Sequence, residues 1–157
     1  MTPHINISFR DGKTDYQPGD FLICEYQIRL RNQENPVLAI ETSVLWRTEG
    51  KGETDIGVHL FERRQKSSLQ AGTLANVQRI STVLPASPHS YHGKIVKIVW
   101  CLRVRLFMAD GAEVTQDQVF RLGNTSDHHQ LPMLSDESDE ADGDDENELE
   151  SSAESSN

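Results

Sequence analysis

The stretch of sequence that decides the fold runs from Leu84 to Leu106 and reads LPASPHSYHGKIVKIVWCLRVRL. Its first half contains two prolines and a glycine, which interrupt regular structure and favour a loop. Its second half alternates between apolar and largely polar positions. The apolar parity comprises Ile98, Trp100, Leu102, Val104 and Leu106, and the other parity includes Lys97, Cys101, Arg103 and Arg105. A period of two is typical of a β-strand with one buried face, so we predict a loop followed by a long, half-buried strand.

The same alternation continues outward from this stretch, and turn residues separate the segments at short intervals. It predicts strands at 4–9, 21–31, 37–47, 55–62, 74–84, 95–108 and 113–122, with Ile56, Val58 and Leu60 alternating in the fourth. No window shows a sustained helical period. The pattern therefore predicts an all-β protein, a single antiparallel β-sandwich of about eight strands. The predicted core centres on Tyr26, Ile28, Trp46, Ile98, Trp100, Val104 and Phe120.

Charge is unevenly distributed along the chain. All 15 Lys and Arg residues lie at or before Arg121, whereas residues 135–157 contain 11 Asp and Glu and no cation. The first 134 residues therefore hold 15 cations against 14 anions, so the net charge of −10 belongs to the C-terminal segment. Such an acidic, serine-rich segment buries too little apolar surface to offset the entropy of ordering it. We predict a folded domain over 1–123 and a disordered acidic linker and tail over 124–157.

The cysteines and the first residues indicate a cellular compartment. Cys24 shares the buried parity of Tyr26, whereas Cys101 shares the outward parity of Arg103, so we predict two reduced thiols, with Cys101 at the surface. The chain does not start with a basic segment followed by an apolar run, and no apolar run approaches the length of a membrane span. These features predict a cytoplasmic protein without membrane insertion.

Several short motifs occur in an order that resembles a known family. They are Tyr16-x-Pro18-Gly19-Asp20, the strand at 37–46, Leu69-x-Ala71-Gly72, Leu84-Pro85, Pro88-x-Ser90-Tyr91-x-Gly93 and the strand from Ile95. Together they resemble the arrestin-like β-sandwich of the N-terminal type, over about residues 3–123. The resemblance implies two packed antiparallel sheets, as in immunoglobulin-like folds, and a role in protein–protein interaction or cargo sorting. Arrestins carry two such sandwiches in tandem and this sequence has room for one, so only the fold and a binding role are carried over.

The outward stripe of the long strand supplies the candidate binding face. Lys97, Arg103 and Arg105 share one parity, and Arg29 and Arg31 widen the basic face if their strand lies in the same sheet. The alternative is an ordinary solvated sheet face. The acidic tail is an anionic ligand attached to the same chain, which suggests an intramolecular contact between the tail and this face. A tail that serves only solubility explains the charge equally well. A second candidate is residues 4–10, as an edge strand open to an extended peptide.

No constellation of residues predicts catalysis, a metal or a cofactor. His89 and His92 form a His-x-x-His pair and His128 adjoins His129, but both lack a set of ligands at a recognised metal spacing. Nucleic acid is not expected, because the predicted domain carries little excess positive charge. We therefore predict a non-catalytic adaptor or scaffold that binds an unidentified protein. A structural, self-assembling sandwich and a small metal-dependent enzyme built on the histidines remain as alternatives.

Overall fold

The computed structural model describes residues 3–30, 35–68, 74 and 76–123. These residues form nine strands and two short 3-10 turns, at Arg10–Gly12 and Lys66–Ser68. The strands are β1 His4–Phe9, β2 Asp15–Tyr16, β3 Phe21–Arg29, β4 Val37–Gly50, β5 Ile56–Gln65, β6 Gln78–Val83, β7 Tyr91–His92, β8 Val96–Met108 and β9 Glu113–Leu122. The predicted all-β class is confirmed. The predicted acidic tail, Arg31 and the motif at 69–72 lie outside the described residues.

The strands form two sheets. One has the order β1-β3-β6 and is antiparallel throughout. The other has the order β2-β9-β8-β4-β5, and β7 pairs with the start of β8. Pairing in the second sheet is antiparallel except between β2 and β9, which run parallel. The sandwich prediction is therefore confirmed, with one parallel contact that the sequence pattern did not indicate.

The core lies between the two sheets, and β8 is its centre. Trp100, Leu102, Val104 and Leu106 are all buried, as the alternation predicted, and they face the buried residues of β3. Trp100 satisfies its indole N–H by donating to the Pro88 carbonyl oxygen at 2.8 Å. Of the predicted core residues, Tyr26, Ile28, Trp100, Val104 and Phe120 are fully buried, whereas Trp46 and Ile98 are partly exposed.

A bulge in the pairing of β4 with β5 changes which side chains of β5 face the core. Val44 lies opposite Leu60, but its neighbour Leu45 lies opposite Val58, so β5 has one extra residue at this point. One extra residue turns every side chain before it to the other face of the strand. Leu60 accordingly packs against the core, while Ile56 and Val58 are 52% and 56% exposed. The prediction that these three residues share one face is wrong for this reason.

Candidate functional site

The structure separates the residues of the predicted basic face. Lys97, Arg103 and Arg105 lie on β8, on the outer face of the six-stranded sheet. Arg29 is the last residue of β3, which belongs to the three-stranded sheet. Arg31 lies outside the described residues. The wider patch that required Arg29 to share the sheet of β8 is therefore not formed, because β3 and β8 are in different layers.

Acidic partners on neighbouring strands neutralise much of the remaining charge. Arg103 donates from Nε to Oδ1 of Asp117 at 2.8 Å and from Nη2 to Oδ2 at 2.9 Å. Arg105 donates from Nε to Oε2 of Glu113 at 3.0 Å, and it also lies 3.9 Å from Glu41. Lys97 has no ion pair among the residues that the structure describes. Within the described part of the chain, the outer face of β8 thus carries cross-strand ion pairs and, at Lys97, a cation outside them.

Arg47 of β4 completes this network and covers Cys101. Its guanidinium bonds Asp117 at 3.0 Å, Glu49 at 3.0 Å and the Cys101 sulfur at 3.2 Å. Cys101 is 0% exposed, so the prediction of a surface thiol is wrong although the parity is right. Burial raises the pKa of the Cys101 thiol to about 11. The pKa of Asp117 is lowered, and the hydrogen bond from Arg103 is the largest cause. The positive charge of Arg47 lowers this pKa further.

The exposed side of β5 forms an apolar strip at the edge of the six-stranded sheet. The strip consists of Ile56, Val58 and Phe61, which are 52%, 56% and 53% exposed. β5 pairs with β4 along one side, and no strand of the described residues pairs with its other side. Two side chains of β5 reach β6: His59 Nε2 lies 2.8 Å from the Val83 carbonyl oxygen, and Arg64 donates to Gln78 at 2.6 Å.

A cleft of about 290 Å³ lies near the opposite edge of the same sheet, where β2 pairs with β9 and β7 pairs with β8. Val99 and Val119 contribute its apolar part, together with Ile98 and Phe120. Its polar lining consists of Thr14, Asp15, Ser90, Tyr91, His92 and Arg121. Sequence reasoning missed this cleft, because its lining comes from four segments that the topology brings together. Tyr91, which is 55% exposed, belongs to the lining of this cleft.

The described residues contain no group of three or more His, Cys, Asp or Glu side chains arranged to hold a metal ion. His89 adjoins Gly123, whereas His92 lines the cleft. His128 and His129 lie outside the described residues. Within the same part of the chain, no helix is long and apolar enough to cross a membrane.

Comparison with known proteins supports the fold and gives no family. No protein-family model and no curated protein sequence matches the chain. Among solved structures, the chain is similar to Spo0M, a sporulation control protein from Bacillus subtilis, with a TM-score of 0.52 and 10% sequence identity. The similarity covers 78% of this chain and 49% of the Spo0M chain, so this chain spans about half the length of that protein. At this identity the likeness shows a shared arrestin-like fold.

Proposed function

We propose that the protein is a non-catalytic adaptor or scaffold of the cytoplasm, which binds another protein through the apolar strip on β5. The observation that carries the proposal is the exposure of Ile56, Val58 and Phe61 along an unpaired edge strand. A contiguous patch of solvent-exposed apolar side chains is a common mark of an interaction site. The arrestin-like fold is compatible with this role and supplies no specific partner.

The chemistry of the edge indicates an extended segment as the partner. An edge strand presents a row of free backbone N–H and C=O groups, which a second strand satisfies by adding to the sheet. Charged residues that protect natural edges occur only in the second half of β5, at Glu62, Arg63 and Arg64. The half from Ile56 to Phe61 carries only His59 as a polar side chain and is the favoured place for strand addition.

The proposal is tested by placing a charge on the strip. We expect Val58→Asp to weaken capture of a binding protein from a cell extract by at least about tenfold, since a buried carboxylate at an interface is strongly unfavourable. Leu38→Asp is the matched control, because Leu38 is also exposed, at 43%, and lies outside the strip. Equal recovery of the same proteins by the wild type and Val58→Asp contradicts the proposal.

Self-assembly is the second candidate, and the same strip supports it. Two copies of β5 related by a two-fold axis present the same apolar side chains to each other. Sedimentation as a function of concentration separates the candidates: an adaptor stays monomeric at micromolar concentration, whereas a self-assembling protein shows a dimer that Val58→Asp abolishes.

A further proposal is that the acidic tail contacts the predicted basic face. With Arg103 and Arg105 bound to carboxylates, Lys97 is the residue of that face with charge available to an acidic ligand. The proposed contact with residues 135–157 rests on the 11 acidic residues of that segment. Its deletion should raise affinity for a polyanion such as heparin at low salt. Unchanged affinity contradicts the contact and leaves the role of the β5 strip untouched.

A further inference from the structure

We infer that the cleft between β7 and the start of β2 binds an acidic peptide segment. One apolar side chain of the peptide enters the cleft, and a neighbouring carboxylate of the peptide pairs with Arg121. Thr14 and Asp15 form one wall, and Tyr91 and His92 of β7 form the other. β8 and β4 lie between β9 and β5 in the sheet order, so this site is separate from the β5 strip. The inference does not depend on the function proposed for that strip.

The size of the cleft suits a single side chain. Its volume of about 290 Å³ is at the lower limit of pockets that enclose whole small molecules, about 300 Å³. Val119 remains 47% exposed and Tyr91 55% exposed, so both offer apolar surface to a ligand. An aromatic ring next to aliphatic side chains favours an aromatic or branched apolar residue of the ligand.

Arg121 supplies the charge that selects a carboxylate. Arg47, Arg103 and Arg105 each bond at least one carboxylate, whereas the guanidinium of Arg121 has no hydrogen bond or ion pair within the described residues. A free guanidinium is a donor for bidentate pairing with a carboxylate. Asp15 lies opposite Arg121 in the β2–β9 register and is the only carboxylate of the cleft lining. The charge of Asp15 therefore opposes the binding of an anion, and removing that charge should strengthen anion binding.

The free edge of β9 adds a place for the backbone of a peptide. β2 pairs with β9 only at Arg121 and Leu122, so the stretch from Glu113 to Phe120 has no strand on that side among the described residues. An extended peptide laid along this edge bonds its backbone to β9 and directs alternate side chains to the cleft. A nucleic acid fits less well, because the 11 acidic residues of 135–157 in the same chain repel a polyanion more strongly than a peptide with one or two carboxylates.

Fluorescence anisotropy with the full-length chain tests this inference. The probe is a short labelled peptide with a central Phe flanked by Glu, and its control carries Gln at the Glu positions. We expect the Glu peptide to bind at least about tenfold more tightly than the Gln peptide, and Arg121→Gln to remove that difference. Asp15→Asn should strengthen binding of the Glu peptide several-fold, which a merely structural role of Asp15 does not produce.

Two further measurements keep the inference open to refutation. Tyr91→Ala should weaken both peptides alike, since it removes apolar contact and leaves the charge unchanged; thermal unfolding of each variant controls for folding. Equal affinity for the Glu and Gln peptides overturns the assignment of Arg121. Tighter binding of a Lys-flanked peptide, lost in Asp15→Asn, overturns the assignment of an acidic ligand. Equal binding of a single-stranded oligonucleotide overturns the assignment of a peptide.

Discussion

Arg103 and Asp117 form a two-pronged ion pair across the β8–β9 ladder, with Nε–Oδ1 and Nη2–Oδ2 distances of 2.8 and 2.9 Å. The two residues are direct partners in the register of these strands. Asp117 also accepts a hydrogen bond from Arg47 of β4, which joins three adjacent strands. A residue that sequence analysis assigned to a binding face therefore also holds the sheet together.

Asp117→Asn should lower the free energy of unfolding at neutral pH by about 1.5–3 kcal/mol, the range for hydrogen bonds to charged groups. Because the pKa of Asp117 is lowered in the folded state, its contribution is present above the unfolded pKa, about 3.9. It is lost as the pH falls through the folded pKa, so the variant should lose less stability in acid than the wild type. Urea denaturation at several pH values measures this difference.

Glu113→Gln is the matched control for Asp117→Asn. Glu113 pairs with Arg105, but its side chain is 45% exposed, compared with 23% for Asp117. Exposed ion pairs contribute about 0–1 kcal/mol, so this variant should change stability little. Equal losses for the two variants contradict the special role of the Arg103–Asp117 pair.

Both cysteines should resist thiol reagents in the folded protein. Burial raises the pKa of Cys24 to about 12 and that of Cys101 to about 11, and both thiols are free. The thiolate is the reactive form, so labelling with a disulfide reagent should be slow until the protein unfolds. Arg47→Ala should expose Cys101 selectively and speed its labelling, while Cys24 stays protected. Labelling of one thiol in the folded wild type contradicts the packing described.

Gly57→Ala should destabilise the protein through Trp46. A Cβ atom at position 57 would overlap the indole ring of Trp46, against Cε2 and Nε1. Overpacking of this kind costs about 1–3 kcal/mol. If the indole is the cause, combining Gly57→Ala with Trp46→Leu should cost less than the sum of the single changes. Chemical denaturation of the four proteins in this cycle measures the coupling, and strict additivity argues against it.

His59→Ala should loosen β5 without unfolding the sandwich. The Val83 carbonyl can only accept, so Nε2 of His59 carries the proton of this 2.8 Å hydrogen bond. Its loss should cost about 1 kcal/mol and speed hydrogen exchange in β5 more than in β8. Arg63→Ala provides the comparison, because Arg63 lies on the other face of β5, where it donates a hydrogen bond to Glu41 of β4. Uniform acceleration across both strands indicates global destabilisation instead.

The sequence predicted those strands in which local alternation and burial agree. β1 and β9 begin and end where the pattern placed them, and β8 buries the predicted parity from Trp100 to Leu106. The separation of Cys24 and Cys101 onto different faces followed from the same period of two. In an extended chain, side-chain direction depends on nearest neighbours alone, so these features are readable without knowledge of distant partners.

Tertiary structure decided every feature that depends on which strands become neighbours. The bulge opposite Val44 and Leu45 turned Ile56 and Val58 outward, and no local pattern marks it. Arg47 covers Cys101 from 54 residues away in the chain, and Asp117 cancels the charge of Arg103. The cleft around Arg121 exists because β2 and β7 reach β9 and β8 from distant segments. A period of two indicates which residues share a face of a strand. Strand order and register then determine which face is buried and what net charge a surface carries.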